Sequence, residues 1–565
     1  MQNRDFTLEA LVDFPDDALA AEHPITPQHI DAMMAMLRRC GVARVSWGYY
    51  GDGHGGYLLP TTPANACEEP LGHWDIYAKT IEALDNPLRV AVEAAHRHGI
   101  QLYAYYKPYE TGVALVLPEG SPEARSNGRL AHSGGQLAWI DRFVVDNPTL
   151  RIRRRGDLPS DLATRPIHAV QLIKRDASPT RVTQDHLQLW ASASNYRYQR
   201  LKVEFDVRET VEPAQREVSD VAGTPVTRAG DPVRVLTLSG FSLTEPYILV
   251  TTDFADGPAD FENAGTDMLV ALDGEGREIA GVFATGSTIW CEGQVDFRNW
   301  GLMFDYGFGR TLVRLDEPNG SGSKGLIAFT RGRNEYLPGA LCETEPRVRE
   351  YWLSCIREML DAGVDGVDFR EENHSTHTDY PSDYGYNAAV VEECERRGAV
   401  DPATISQVRG DAYTEFLRQA KGLISSRGKR MRINLQTDYY RLNPPADRLL
   451  AYPANLDFQW RRWVDEELMH EAIFRFFALP FDCIYEDSVS REIIDHCGDR
   501  GLPVTVNRYI RPDSLLDEAR RIFRDGRFAG FILYETCSFL RLGADGRWNL
   551  AVPGIETLAD DIRRA

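Results

Sequence analysis

The segment GVDGVDFREENHSTHTDY (363–380) joins an apolar run to a dense set of ionisable side chains. If its first half is a β-strand, the period of two turns Asp368 and Arg370 to the same face. Charged groups that converge at a strand end are costly to bury unless they pair or react. The pattern predicts Asp368 and Glu372 as catalytic carboxylates, and a structural Asp–Arg ion pair is the alternative.

A further carboxylate, Glu535, ends the apolar run AGFILYE (529–535). Glycosidic cleavage uses two carboxyl groups, of which one protonates the leaving oxygen and the other attacks or activates water. We predict that Asp368 acts as nucleophile or base and that Glu535 or Glu372 is the general acid. The alternative for Glu535 is a role in capping the following turn.

The first strand-like segment ends in VDFPDD, which makes Asp13, Asp16 and Asp17 reserve candidates. For Asp16 and Asp17 the more common role is to cap the next helical element, because an Asp side chain accepts hydrogen bonds from free backbone N–H groups.

Four cationic side chains also end strand-like segments: Arg370, Arg475, Arg508 and Lys107. An arginine fork holds a carboxylate through two parallel charge-assisted bonds. The cluster therefore favours an acidic sugar, of the uronic or sialic acid type, and neutralisation of protein carboxylates is the alternative. Arg508 has strand parity opposite to that of Asn507, so at most one of the two points inward.

Aromatic and amide side chains are also found at these strand ends. Aromatic rings stack on the C–H faces of sugars, and amides bind hydroxyl groups, although aromatics are also common packing residues of strands. The candidates for binding substrate in this way are Trp47, Tyr49, Asn507 and Gln436.

His374 and His377 form an HxxH pair close to Asp379. The surrounding Ser, Thr, Asp and Tyr residues are typical of a loop, and without a helix this spacing defines no metal geometry. We therefore predict no metal and no cofactor, and we expect His374 to bind substrate. A metal-assisted hydrolase or lyase stays open as an alternative.

Short apolar strands alternate with amphipathic helices in two parts of the chain, which is typical of a parallel sheet covered by helices. The predicted helices are 27–40, 85–98, 346–362, 404–426, 488–500, 512–525 and 555–564. The eight predicted strands are 10–14, 43–50, 101–109, 363–370, 430–436, 472–477, 502–509 and 529–535. Eight such units predict an α/β (β/α)8 TIM barrel; a doubly wound open sheet is the alternative.

Residues 113–325 lack helical periodicity and contain alternating β-type segments separated by Gly, Pro, Asp and Asn. This pattern predicts a β-sandwich-like domain inserted after strand 3. The expected domains are the first barrel part (1–112), the insert (113–325) and the second barrel part (326–565).

The bulk composition narrows the class of protein. A net charge of −21 argues against nucleic-acid binding, which needs a basic surface. There is no run of about 18 apolar residues and no signal-like start, and the nine cysteines contain no CxxC pair. We expect a cytoplasmic protein with reduced thiols, a carbohydrate substrate and no membrane partner; a homodimer stays open.

Three segments together resemble barrel proteins of the family 10 glycosylhydrolase type: DGVDFREENHS, PRVREYWLSCIREMLDAGVDG and AVEAAHRHGIQLYAYYKPY. The resemblance implies a (β/α)8 fold, carbohydrate hydrolysis and an acidic residue at the end of strand four, the position of Asp368. It supplies no second carboxylate. The sequence is thus interpreted as that of a glycoside hydrolase, and a barrel that binds carbohydrate without cleaving it is the rival interpretation.

Overall fold

A computed structural model describes most of the chain. The described residues are 6–14, 17–18, 21–49, 57–58, 79–116, 135–192, 197–219, 225–252, 269–286, 289–291, 294–296, 312–315, 324–331, 335–371, 381–436, 455–475, 483–486, 488–510 and 512–564.

Eight parallel strands close into a barrel. They are β1 (Thr7–Val12), β2 (Arg44–Tyr49), β3 (Gln101–Tyr106), β4 (Gly366–Phe369), β5 (Arg430–Gln436), β6 (Glu471–Arg475), β7 (Val504–Tyr509) and β8 (Phe528–Tyr534). All eight predicted strands are present, and β8 pairs with β1, so the sheet has no open edge. The closed (β/α)8 barrel is confirmed, and a doubly wound sheet is excluded.

Helices surround the barrel, and each long one buries apolar side chains. They are α1 (Pro27–Arg39), α2 (Pro87–Arg97), α3 (Pro346–Asp361), α4 (Ala388–Arg397), α5 (Pro402–Ser426), α6 (Ser488–Asp499), α7 (Leu515–Asp525) and α8 (Ile555–Arg563). Shorter helices span Arg142–Asp146, Trp460–Asp465, Cys483–Glu486 and Thr536–Phe539. The sequence prediction missed α4.

Local signals explain where these helices begin and end. Pro87 and Pro402 occupy first-turn positions, where proline costs no hydrogen bond. The side chains of Asn86 and Asp401 cap α2 and α5 by accepting backbone N–H groups. None of the helices in the described ranges is long and apolar enough to cross a membrane.

The chain between β3 and β4 is rich in antiparallel strands. A four-stranded sheet contains Asp206–Pro213, Pro232–Leu243, Ile167–Ile173 and Leu269–Leu272, and an eight-stranded sheet is centred on Tyr247–Thr252 and Leu187–Ser192. Val170 and Leu238 of the first sheet share an apolar core with Leu189 and Val250 of the second. This face-to-face packing makes the insert sandwich-like, and its core is separate from that of the barrel.

The inside of the barrel is unusually polar. Hydrogen bonds join strands that are not neighbours in the sheet, such as Arg432 of β5 with Glu9 of β1 and Ser46 of β2 with Asp368 of β4. These side chains therefore meet across the interior. As in other eight-stranded barrels, alternate strands contribute the residues of each interior layer.

Candidate active site

An ionic network that includes Asp368 lies in the interior of the barrel. Asp368 is 1% exposed, and Arg432 Nη2 lies 2.9 Å from its Oδ2. Ser46 Oγ donates to the same oxygen at 3.3 Å, and Asn434 Nδ2 donates to Oδ1 at 2.6 Å. Because both carboxylate oxygens are engaged inside the barrel, the contacts of Asp368 are those of a structural residue.

Two further carboxylates and a second arginine complete this network. Arg432 Nη1 lies 2.8 Å from Glu9 Oε2 and 3.3 Å from Glu471 Oε1, and Arg44 Nη1 lies 2.7 Å from Glu9 Oε1. Burial raises the pKa of Asp368, against the opposing charge of Arg432. The arrangement resembles the structural ion pair that the sequence left open, but with Arg432 rather than Arg370 as the partner.

A separate group of charged residues lies at the carboxyl ends of the strands. Lys107, just after β3, places Nζ 3.5 Å from Asp13 Oδ2 and 3.3 Å from Glu110 Oε1. Burial alone would lower the pKa of Lys107, but Asp13 and Glu110 together raise it above its usual value. Lys107 therefore stays charged beside Asp13, the residue that directly follows β1.

Glu535 follows β8, which is the neighbour of β1 in the barrel. Burial, and secondly the negative charge of Asp13, raise the pKa of Glu535 to about 7, although Arg370 and Lys107 act in the opposite direction. Its side chain is partly buried, and the Tyr534–Glu535 peptide bond is cis. Two neighbouring strand ends thus bring together one carboxyl that holds a proton near neutral pH and one that faces a lysine.

Asp17 lies beside this pair. Its Oδ2 accepts a hydrogen bond of 2.6 Å from Thr536 Oγ1, directly after Glu535. Burial, with smaller contributions from Asp13 and Glu535, raises the pKa of Asp17 well above its usual value. Asp17 therefore connects the segment after β1 to the segment after β8. Asp16 lies outside the described residues.

Two arginines approach the same aromatic ring system from different strands. Arg370 Nη1 donates to the hydroxyls of Tyr105 and, at 3.1 Å, Tyr534. Arg475 Nη1 donates to Tyr105 at 3.3 Å, and its Cζ lies 4.9 Å from the centre of the Tyr534 ring. The structure thus brings these two predicted arginines together at Tyr105 and Tyr534, and Tyr534 directly precedes Glu535.

Three other predicted residues face the helices instead of the interior. Trp47 and Tyr49 alternate with the inward-facing Ser46, and Trp47 stacks on Phe14 with ring centres 4.8 Å apart. Arg508 forms a buried ion pair of 3.1 Å with Glu518 of α7. The contacts of Trp47, Tyr49 and Arg508 are those of packing and of strand-to-helix pairing. Asn507 faces inward, so only one residue of the Asn507–Arg508 pair does, in agreement with their opposite strand parity.

Several predictions fall on residues about which the structure says nothing. Glu372, His374, His377 and Asp379 lie outside the described residues, as does the side chain of Gln436. Within the described ranges, no group of three or more His, Cys, Asp or Glu residues has the arrangement of a metal site.

Sequence reasoning missed Glu371. It is 2% exposed, and Tyr413 of α5 donates to its Oε1 at 2.8 Å. Burial raises its pKa to about 8. The available signal was the position of Glu371 beside Arg370 in the acidic run, but the sequence prediction selected the neighbouring Glu372 instead.

Comparison with known proteins adds little beyond the fold. No protein-family model and no curated protein matches the chain. Among solved structures, the catalytic domain of a β-amylase from Paenibacillus polymyxa aligns over the whole of both chains with 8% identity and a TM-score of 0.40. A β-galactosidase from the psychrophilic Marinomonas ef1 aligns over 98% of this chain and 59% of its own, with 7% identity and a TM-score of 0.38.

A morphinone reductase, which is not a glycosidase, aligns over 94% of this chain and 82% of its own, with 9% identity and a TM-score of 0.31. Likenesses of this size do not distinguish one chemistry from another, since one fold serves many reactions. The closed barrel defines the chain as a (β/α)8 protein. The chemistry of such a protein depends on the residues of its site.

Proposed function

We propose that this protein is a glycoside hydrolase in which Glu535 is the general acid and Asp13 is the nucleophile or base. The observation that carries the proposal is the pairing of unlike carboxyl environments at two neighbouring strand ends. Glu535 has a pKa of about 7 and lies within electrostatic reach of Asp13, which faces Lys107 at 3.5 Å. Glycosidic cleavage requires one carboxyl group that protonates the leaving oxygen and a second that attacks or activates water. Glu535, which holds a proton near neutral pH, and the adjacent Asp13 offer such a pair.

This proposal replaces Asp368 by Asp13 as the partner of Glu535. Both oxygens of Asp368 are occupied by Arg432, Ser46 and Asn434 deeper in the barrel. A nucleophile or base needs an oxygen that can reach the sugar or a water molecule. Asp13 lies at the carboxyl end of β1, the side of such barrels on which active sites are found.

The test compares Glu535→Gln, Asp13→Asn and Asp368→Asn on a panel of aryl glycosides. Loss of a general acid or of the nucleophile lowers kcat/KM by about 10² to 10⁴, so we expect losses of this size, per folded molecule, for the first two variants. Asp368→Asn should lower stability before it lowers kcat/KM per folded molecule. Sugar binding without turnover by the wild-type protein would favour the rival, non-catalytic function.

The finer part of the proposal is that the sugar is acidic. Arg370, below Glu535, and Lys107, beside Asp13, place two cations next to the carboxyl pair. A sugar carboxylate held by a guanidinium gains two parallel charge-assisted bonds.

The variant Arg370→Lys tests this specificity, because lysine keeps the charge but loses the fork. It should lower kcat/KM strongly for uronides and hardly for the matching neutral glycosides. Equal losses on both kinds of substrate would show that Arg370 is structural and would leave the hydrolase proposal standing.

A further inference from the structure

Asn507 is a polar residue that the hydrolase proposal does not use. It lies on β7 and is 0% exposed, and it shares its face of the strand with Thr505, which donates to Glu471 inside the barrel at 2.7 Å. Neither Nδ2 nor Oδ1 of Asn507 has a hydrogen-bond partner among the described residues. A buried amide without partners is costly, so its presence inside the barrel points to something that binds there.

The residues around Asn507 offer hydrogen-bond donors and positive charge. Arg475 is its partner in the β6–β7 register, so the two side chains start from adjacent positions on the barrel wall. Arg475 and Arg370 both donate to the hydroxyl oxygen of Tyr105. Both guanidiniums are positively charged, and in a medium of low dielectric constant each would attract an anion bound beside Asn507.

Tyr105 adds a donor of its own. A phenol oxygen has two acceptor positions and one O–H donor, and Arg370 and Arg475 occupy both acceptor positions. Burial raises the pKa of Tyr105 well above its ordinary value, so the hydroxyl keeps its proton and supplies no negative charge. The O–H is therefore left to donate, as are the two N–H groups of Asn507.

The enclosure of these residues limits the size of the ligand. Tyr105, Arg475 and Asn507 are all 0% exposed, so a sugar ring has no access to these three residues. A single-atom anion needs the least space of any anionic ligand, and guanidinium, phenol and amide groups can each donate an N–H or O–H to it.

We propose that a monovalent anion of the size of chloride binds inside the barrel between Arg475, Asn507 and the hydroxyl of Tyr105. This site lies beneath the Asp13–Glu535 pair and is separate from the proposed sugar site. Its occupation adds to the stability of the folded protein whether or not the protein hydrolyses glycosides, since a ligand that binds only the native state shifts the unfolding equilibrium.

Thermal unfolding in sodium chloride and in sodium gluconate at equal ionic strength tests the site. The wild-type Tm should rise and saturate as chloride replaces gluconate. Asn507→Leu should show no chloride response and should be at least as stable as the wild type in gluconate, because leucine removes an unpartnered amide at similar volume. Thr505→Val, two residues away on the same face, is the matched control and should keep the response.

A wild-type Tm that is the same in both salts would overturn the proposal, and so would a chloride response that survives in Asn507→Leu. A rise with sodium glucuronate but not with chloride would also overturn it and would assign these donors to a substrate carboxylate. Crystals grown in bromide give a reading that needs no variant: an anomalous peak beside Asn507 Nδ2 supports the site, and its absence at saturating bromide contradicts it. None of these readings depends on turnover.

Discussion

At the scale of single residues, the protonation of Glu535 links the structure to a measurable activity profile. Its pKa of about 7 results first from burial and then from the negative charge of Asp13. If Glu535 is the general acid, only its protonated form is active, so kcat/KM should fall tenfold per pH unit as the pH rises above about 7. In Glu535→Gln this alkaline limb should be absent. A limb at the same pH in the variant would assign it to another group.

The same shift predicts a dependence of stability on pH. The pKa of Glu535 in the folded protein lies above its ordinary value, so the folded state binds more protons than the unfolded state between these two values. The stabilisation is complete below the ordinary carboxyl pKa and is lost as the pH rises through about 7. Urea unfolding at several pH values should show a smaller decline in Glu535→Gln than in the wild type; identical slopes would contradict the shift.

At the scale of secondary-structure elements, Glu343 connects three parts of the chain. Arg409 of α5 donates to Glu343 Oε1 at 2.6 Å and to Oε2 at 3.0 Å, and Tyr109, after β3, donates to Oε2 at 3.1 Å. Glu343 and Arg409 are both fully buried. This cluster fixes the segment that leads into α3 against α5 and against the loop that carries Lys107.

Removal of either charged partner, Glu343 or Arg409, should therefore lower the free energy of unfolding strongly. Glu343→Gln leaves the Arg409 guanidinium buried without its counter-charge, and we expect a loss of about 3–5 kcal/mol in the free energy of unfolding. The double variant Glu343→Leu with Arg409→Met should recover much of this loss, since no unpaired charge remains. Glu466→Gln, which breaks a partly exposed pair with Arg418, is the control and should cost at most about 1 kcal/mol. Equal losses in urea unfolding would refute the distinction.

At the scale of the whole molecule, the insert is attached to the barrel at two adjacent points. Arg151–Arg153 pairs with Tyr336–Leu341, and Arg154 N donates to Glu335 O at 2.6 Å. The apolar core of the insert is separate from the barrel core. The two connections are therefore close enough in space to be joined by a short turn.

Replacement of residues 156–333 by a short Gly-rich turn should leave a folded barrel. We expect one cooperative thermal transition and a helical circular-dichroism spectrum for the shortened protein. The fragment 156–333, expressed alone, should fold as a β-rich unit because it keeps its own core. Aggregation of both pieces would show that the barrel and the insert depend on each other for folding.

Much of this architecture was determined by the sequence. Apolar periods of two and 3.6 located all eight strands and seven of the eight long helices, because these periods follow directly from local backbone geometry. The segment 388–397 was missed because the helix is short and buries only two side chains, Val390 and Cys394, so its apolar stripe spans a single turn. Strand parity also separated the inward-facing Asn507 from Arg508, which pairs with Glu518 of α7.

Only the tertiary structure decided which carboxyl groups share a site. Parity indicates the face of a strand on which a side chain lies, but not its height along the barrel axis, which depends on the register of all eight strands. That register places Asp368 beside Arg432, Ser46 and Asn434 deep in the interior, and it places Asp13 beside Lys107 and within electrostatic reach of Glu535 at the mouth. These partners are far apart in the sequence, so no local pattern could distinguish a buried structural aspartate from one positioned for chemistry.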